Sequence, residues 1–240
     1  MAEAFGWGAL GASALLIGAL IAYLFSPSRR VIAVVMALGT GLLIGSVSFE
    51  LVDEALKTQT VAWVALLVLV GAAVFTLGDW LLTRRGGGER KDPEGAQAQG
   101  SPLAIVLGSV LDGVPESFVL GLTVLQGGVS VSLLAGVLLS NLPEGMASSS
   151  GLKAAGWPRG RVVLMWSAVV VVSAVSAAAG YALLDPAAGR TGALVQAFAG
   201  GALLAMLADT LLPEAYAVEG VLTGPLVVAG FAISLALSAI

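Results

Sequence analysis

The feature that most constrains this chain is a succession of eight windows of about 20 mostly apolar residues, the length a helix needs to cross a bilayer. They cover 5–25, 31–51, 61–82, 103–125, 129–151, 162–184, 193–212 and 221–240. Together they use most of the 240 residues and leave no space for a soluble domain. The expectation is an all-α integral membrane protein, a single transmembrane domain over 1–240 with eight helices. Charge agrees: 11% of residues are charged, against about 25% in a soluble domain. Residues 1–8 carry no basic segment, so the first window reads as a membrane helix rather than a signal peptide.

Basic residues set the expected orientation, because cytoplasmic loops hold the excess of Lys and Arg. Arg29 and Arg30 fall in the first loop, Arg84, Arg85, Arg90 and Lys91 in the third, and Lys153, Arg159 and Arg161 in the fifth. Only Lys57 and Arg190 fall between the other windows. This pattern predicts both termini outside the cytoplasm and a bacterial-type cytoplasmic (inner) membrane. The third loop, 83–102, is rich in Gly, Gln and charge and reads as a flexible cytoplasmic connector. A net charge of −4 gives no indication of nucleic-acid binding.

Two segments match at an offset of 160: Gly41 to Ala55, containing Glu50, Asp53 and Glu54, and Gly201 to Ala215, containing Met206, Asp209 and Glu214. Their windows run in opposite directions through the membrane, as inverted repeats in secondary transporters do. A second match joins Gly108-Ser-Val-Leu-Asp112-Gly-Val-Pro115-Glu116-Ser117 to Gly136-Val-Leu-Leu-Ser140-Asn141-Leu-Pro143-Glu144-Gly145. Both Pro-Glu pairs lie near the centre of antiparallel windows, so the motifs are expected at similar depth.

An ionised carboxylate at mid-membrane costs about 2.5–3.5 kcal/mol on insertion scales, so it is kept only if paired, protonated or bound to a cation. No Lys or Arg occupies the central part of any window. Asp112 and Glu116 share one helix face, and Ser140, Asn141 and Glu144 share another. Those two faces predict a cluster of oxygen ligands for a cation. Pro115 and Pro143 each remove a backbone donor, freeing the carbonyls of Leu111 and Leu139 to serve a cavity-lining site and kinking the helix. Gly113, Ser117, Gly145 and Ser148 read as small residues that let helices approach. Glu50 and Asp53 toward one membrane face, and Asp209 and Glu214 toward the other, read as pathway or gate positions, with interfacial placement open for Glu54 and Glu214. Met206 reads as packing, with thioether ligation to a soft metal the sharper alternative.

The paired Pro-Glu motifs, the eight windows, the third loop and the Leu211-Leu212-Pro213-Glu214-Ala215 segment resemble the ZIP (Zrt-, Irt-like protein) divalent-metal transporters over essentially the whole chain. That resemblance implies a three-two-three bundle, with the fourth and fifth helices enclosed by inverted three-helix repeats. It also implies metal sites at Asp112, Gly113 and Glu116 with Ser140, Asn141 and Glu144. Asp112 stands where the family motif has His, Gly113 where it has Asn, and Ser140 where a stronger ligand is usual. Glu50 replaces a family His. With no His or Cys in the chain, the ligands are oxygens, which suit Mn²⁺, Fe²⁺ or Mg²⁺ and still allow Zn²⁺.

The expected function is secondary transport of a divalent metal into the cytoplasm by alternating access, not enzymatic and with no organic cofactor. The expected partners are the metal ion and the lipid bilayer, with a homodimer open. No phosphate-binding loop points to nucleotide hydrolysis. A non-transporting sensor or scaffold of the same fold is the alternative. An intramembrane hydrolase is a more distant one, since a shared-proton dyad normally wants two Asp.

Overall fold

The computed structural model describes residues 1–84, 102–125, 127–182 and 189–239, and within these the chain is helical almost throughout. Most of the expected connector at 83–102, with Arg85, Arg90 and Lys91, lies outside the described residues. Helix α1 runs Ala2–Phe25. Helix α2 runs Arg29–Ser46, widens into a π-helical segment Val47–Val52 and continues over Asp53–Thr58. Helices α3 (Val61–Leu82), α4 (Pro102–Leu125), α5 (Val131–Ala154) and α6 (Arg159–Ala182) follow. Helix α7 runs Gly189–Met206, a π-helical segment Leu207–Leu211 and Leu212–Glu219. Helix α8 runs Thr223–Leu237. Helix α2 thus ends two turns beyond its apolar window, because Asp53 to Thr58 are mostly charged or polar yet include the good helix formers Glu54, Ala55, Leu56 and Lys57 that continue the rod.

Six stretches of the described chain are long and apolar enough to cross a membrane by length and composition; the last, Thr191–Leu237, contains both α7 and α8. Helix α5 has the length but carries too many serines to join them. The result is an all-helical bundle compatible with an integral membrane protein. Its outer surface is apolar: on α3, Val61, Leu69, Val74 and Leu77 are each more than half exposed.

Local signals set the breaks. Ser26 adopts a left-handed conformation after α1 and Pro27 follows it. The Ser28 hydroxyl then caps α2 by accepting from the Val31 N–H, and Ser130 caps α5 in the same way. Helix α5 ends in a Schellman turn: Gly156 has φ +79°, and the Trp157 N–H donates to the Leu152 carbonyl at 3.0 Å.

Close helix approaches occur in matched pairs. A methyl group on Gly41 (α2) would overlap the backbone of Val227 (α8), and one on Gly230 (α8) that of Leu38 (α2). Likewise Gly201 (α7) meets Val68 (α3), and Gly71 (α3) meets Phe198 (α7). The second set is the first shifted by 160 on one strand of the match and 159 on the other. A further set relates α1–α5, through Gly18 with Leu142 and Gly145 with Leu15, to α4–α6, through Gly180 with Phe118 and Gly121 with Ala177. Here the shifts are 162 and 24. The π-helical segments also begin 160 apart, at Val47 and Leu207. Packing therefore repeats α1–α2–α3 as α6–α7–α8 and exchanges α4 with α5. The match breaks at one junction. Gly39 of α2 lies against the Leu139 backbone of α5, a methyl there falling 2.6 Å from the carbonyl oxygen. The equivalent residue of α7 is Ala199, and α7 meets α4 more sparsely.

Most of the described basic side chains, Lys57 apart, collect at one end. Lys153, at the end of α5, donates to the Ala22 and Tyr23 carbonyls and the Ser26 hydroxyl, closing the end of α1. Arg30 at the start of α2 pairs with Glu219 at the end of α7 at 3.1 Å. Arg84 lies over Trp80 and Arg161 over Trp157, with the cation 3.8 and 3.9 Å from the ring centroid. Cationic residues stacked on aromatic rings at one end are the pattern of a membrane interface.

Candidate functional site

Helices α4 and α5 are antiparallel and share their register through two contacts. The Ser140 hydroxyl donates to Glu116 Oε1 at 3.2 Å, and Leu120 and Val137 both flank Gly11 of α1. Continuing that register one turn toward the basic end brings Glu144 level with Asp112. Asp112, Glu116, Ser140, Asn141 and Glu144 are each 4% or less exposed. Glu116 and Ser140 thus form one oxygen pair between α4 and α5, and Asp112 on α4 and Glu144 on α5 each stand one helical turn, about 6 Å, further toward the basic end.

The two Pro-Glu motifs are staggered rather than level. Packing relates α4 to α5 by 24 residues, whereas matching the motif letters requires 28. Glu116 is thus equivalent to Ser140, which it contacts, and Glu144 is equivalent to Leu120. Asn141 turns elsewhere, donating to the Gly11 carbonyl of α1 at 3.2 Å. Pro115 and Pro143 lie within unbroken helices. The Leu139 carbonyl freed by Pro143 faces Gly39 of α2, so it meets a helix backbone. Among the described residues no three or more Asp, Glu, His or Cys side chains are gathered closely enough to hold a metal ion. Any ion held here would rely on one or two carboxylates completed by hydroxyl, amide and carbonyl oxygens.

The pathway residues lie in corresponding segments but at positions one residue apart, Glu50 corresponding to Thr210 and Asp209 to Phe49. Glu50 lies in the π-helical segment of α2 and accepts from the Ser238 hydroxyl at 3.2 Å. Asp209 lies in that of α7 and accepts from the Thr76 hydroxyl at 3.0 Å. π-Helical segments widen a helix by one residue per turn and are frequent at functional positions. Asp53 is exposed, and Glu54 pairs with Lys57 at 2.6 Å. Glu214 is half-buried at the position equivalent to Glu54. Met206 is buried in the main apolar cluster with Phe75, Leu203 and Leu207, as a packing residue.

Serine chemistry is richer than the sequence suggested. Ser46 (α2), Ser132 (α5) and Ser234 (α8) are buried with their hydroxyls 2.7, 2.8 and 3.2 Å apart. Sequence reasoning missed this trio, since its members lie 86 and 102 residues apart. The only signal was a serine in each of three apolar windows, ordinarily read as helix-packing residues.

The chain matches no family model and no curated protein. The class defined by the structure is an all-helical bundle compatible with a membrane protein, with buried carboxylates on two central helices.

Proposed function

We propose that this protein is a secondary transporter that moves a divalent metal cation into the cytoplasm by alternating access, related to the ZIP transporters. The observation that carries the reading is the placement of Asp112, Glu116 and Glu144, all buried, along the seam of two antiparallel helices. Burying three carboxylates inside a membrane bundle is costly, and a cation passing between them offsets that cost. In this reading α4 and α5 are enclosed by inverted repeats α1–α3 and α6–α8. The matched glycine contacts support that arrangement. All eight helices cross the bilayer, the basic end faces the cytoplasm of a bacterial cell, and both termini lie outside. Glu116 with Ser140, and Glu144 with Asp112, offer the metal successive positions of one or two carboxylates each, while Asn141 contributes by holding α5 to α1. Glu50 and Asp209 act at the two π-helical segments as gates. The oxygen-only set favours Mn²⁺ or Fe²⁺ while allowing Zn²⁺.

A second reading, a non-transporting sensor or scaffold of the same fold, draws on the absence of a gathered three-acid group among the described residues. Reconstituted proteoliposomes decide between them. Transport predicts Mn²⁺, Fe²⁺ or Zn²⁺ flux that falls to the empty-liposome level in Glu116→Gln and Glu144→Gln, with both variants still folded. A wild type that moves none of these ions would reject the transport reading.

A further inference from the structure

Helical serines and threonines of this bundle ordinarily return their hydroxyl to the preceding turn, as Thr40 does to Met36, Ser46 to Leu42 and Thr210 to Met206. Ser148 is an exception. It is 1% exposed, and its hydroxyl oxygen has no hydrogen-bond partner. It stands four residues beyond Glu144, on the same face of α5. Ser109 of α4, itself 3% exposed, stands one turn short of Asp112, on the basic-end side of the Glu116–Ser140 contact as Ser148 does.

The internal match asks whether packing needs these hydroxyls. Shifted by 24, Ser109 becomes Leu133 and Ser148 becomes Val124, both buried and apolar. The same comparison turns Asp112 into Gly136 and Glu144 into Leu120. At these four matched positions α4 and α5 carry carbon on one side of the Glu116–Ser140 contact and oxygen on the basic-end side. The hydroxyls of the first side, Thr123 and Ser132, are bonded to the Leu120 carbonyl and to the serine cluster.

We propose that Ser148, with Ser109 of α4, is a further cation station, one turn past Asp112 and Glu144 on the way to the basic end. Its ligand is a divalent cation leaving the carboxylates. Neutral hydroxyls hold such an ion less tightly than carboxylates, so the station gives it a next position without trapping it. The inference rests on the transport reading above.

The chain contains no cysteine, so Ser148→Cys introduces a single thiol. In inside-out vesicles, a charged, membrane-impermeant methanethiosulfonate is expected to label Ser148→Cys at least about tenfold faster than Val124→Cys, and Mn²⁺ to slow that labelling. Adding Glu144→Gln removes the protection. Equal slow labelling of the two thiols, or labelling that Mn²⁺ leaves unchanged, overturns the station. Ser148→Ala is the companion variant, since it deletes one oxygen and keeps the fold. Its Kd for Mn²⁺ is expected to rise about 3- to 10-fold at unchanged melting temperature, the value of one neutral ligand contact. An unchanged Kd counts against the proposal. Flux with an unprotected thiol rejects the station alone; a protected thiol without wild-type flux rejects transport and leaves the station standing.

Discussion

If the two halves pack by the same rule, equivalent glycines must fail alike. A methyl on Gly41 would lie 2.7 Å from the carbonyl carbon of Val227, and one on Gly201 2.6 Å from that of Val68. Carbon atoms rest comfortably about 3.5–4.0 Å apart, so each helix pair would have to part by about 1 Å. The atom in the way is backbone, which cannot rotate aside. Overpacking of this kind costs about 1–3 kcal/mol, and the better helix propensity of Ala returns about 1 kcal/mol. The expected net loss is up to about 2 kcal/mol for Gly41→Ala and the same for Gly201→Ala. For a chain of this size that lowers the melting temperature by up to about 8 °C. Tryptophan fluorescence during heating in detergent measures it. Gly6→Ala is the control, since nothing lies within 4 Å of a methyl there; it should be neutral or slightly stabilising. Because the two sites lie in separate interfaces, the double variant should show the sum. Losses that differ several-fold between Gly41→Ala and Gly201→Ala, or that match Gly6→Ala, would refute the equivalence.

Other substitutions test single contacts. Lys153→Met removes three charge-assisted hydrogen bonds that close the end of α1; with the ammonium partly in solvent the expected loss is about 1 kcal/mol, read as a lower melting temperature. Trp166→Phe leaves the buried Ser149 hydroxyl without its indole donor at 2.8 Å, costing about 1–3 kcal/mol in the same assay. Ser140→Ala deletes the donor to Glu116, and Mn²⁺ affinity measured by calorimetry should fall about 3- to 10-fold without loss of fold.

The sequence makes helix placement legible because a spanning window needs only summed hydropathy, which neighbours in the chain supply. The Pro-Glu motifs and the 160-residue match are legible for a similar reason, as local strings of letters. The stagger of the motifs is not. Aligning like letters sets Glu116 beside Glu144, but the depth of α4 against α5 follows from where Gly121 and Gly145 admit α6 and α1. Those partners lie more than fifty residues along the chain from Gly121 and more than a hundred from Gly145. Asn141 shows the same limit: its spacing from Glu144 suggests a shared ligand face, yet its amide reaches the Gly11 carbonyl because Gly18 lets α1 come close on that side. The three-serine contact depends on three helices meeting at once, which no single window records.

What the matched halves share, and what they do not, separates scaffold from chemistry. Shared positions are mostly glycines at helix crossings, where identical distances must be met twice and a Cβ would break either copy. Divergent positions carry oxygen in one half and carbon in the other: Asp112 against Gly136, Glu144 against Leu120, Ser148 against Val124. At the opposite end the hydroxyls of Ser46 and Ser234 stand against Met206 and Phe75, both buried in the apolar cluster. A repeated scaffold with repeated chemistry would offer an ion the same surroundings at both ends of its path. Diverged chemistry on a repeated scaffold makes the two ends different while keeping the packing of each half. The polar substitutions therefore mark a direction, with hydroxyls joining α2, α5 and α8 at one end and oxygens continuing between α4 and α5 toward the other.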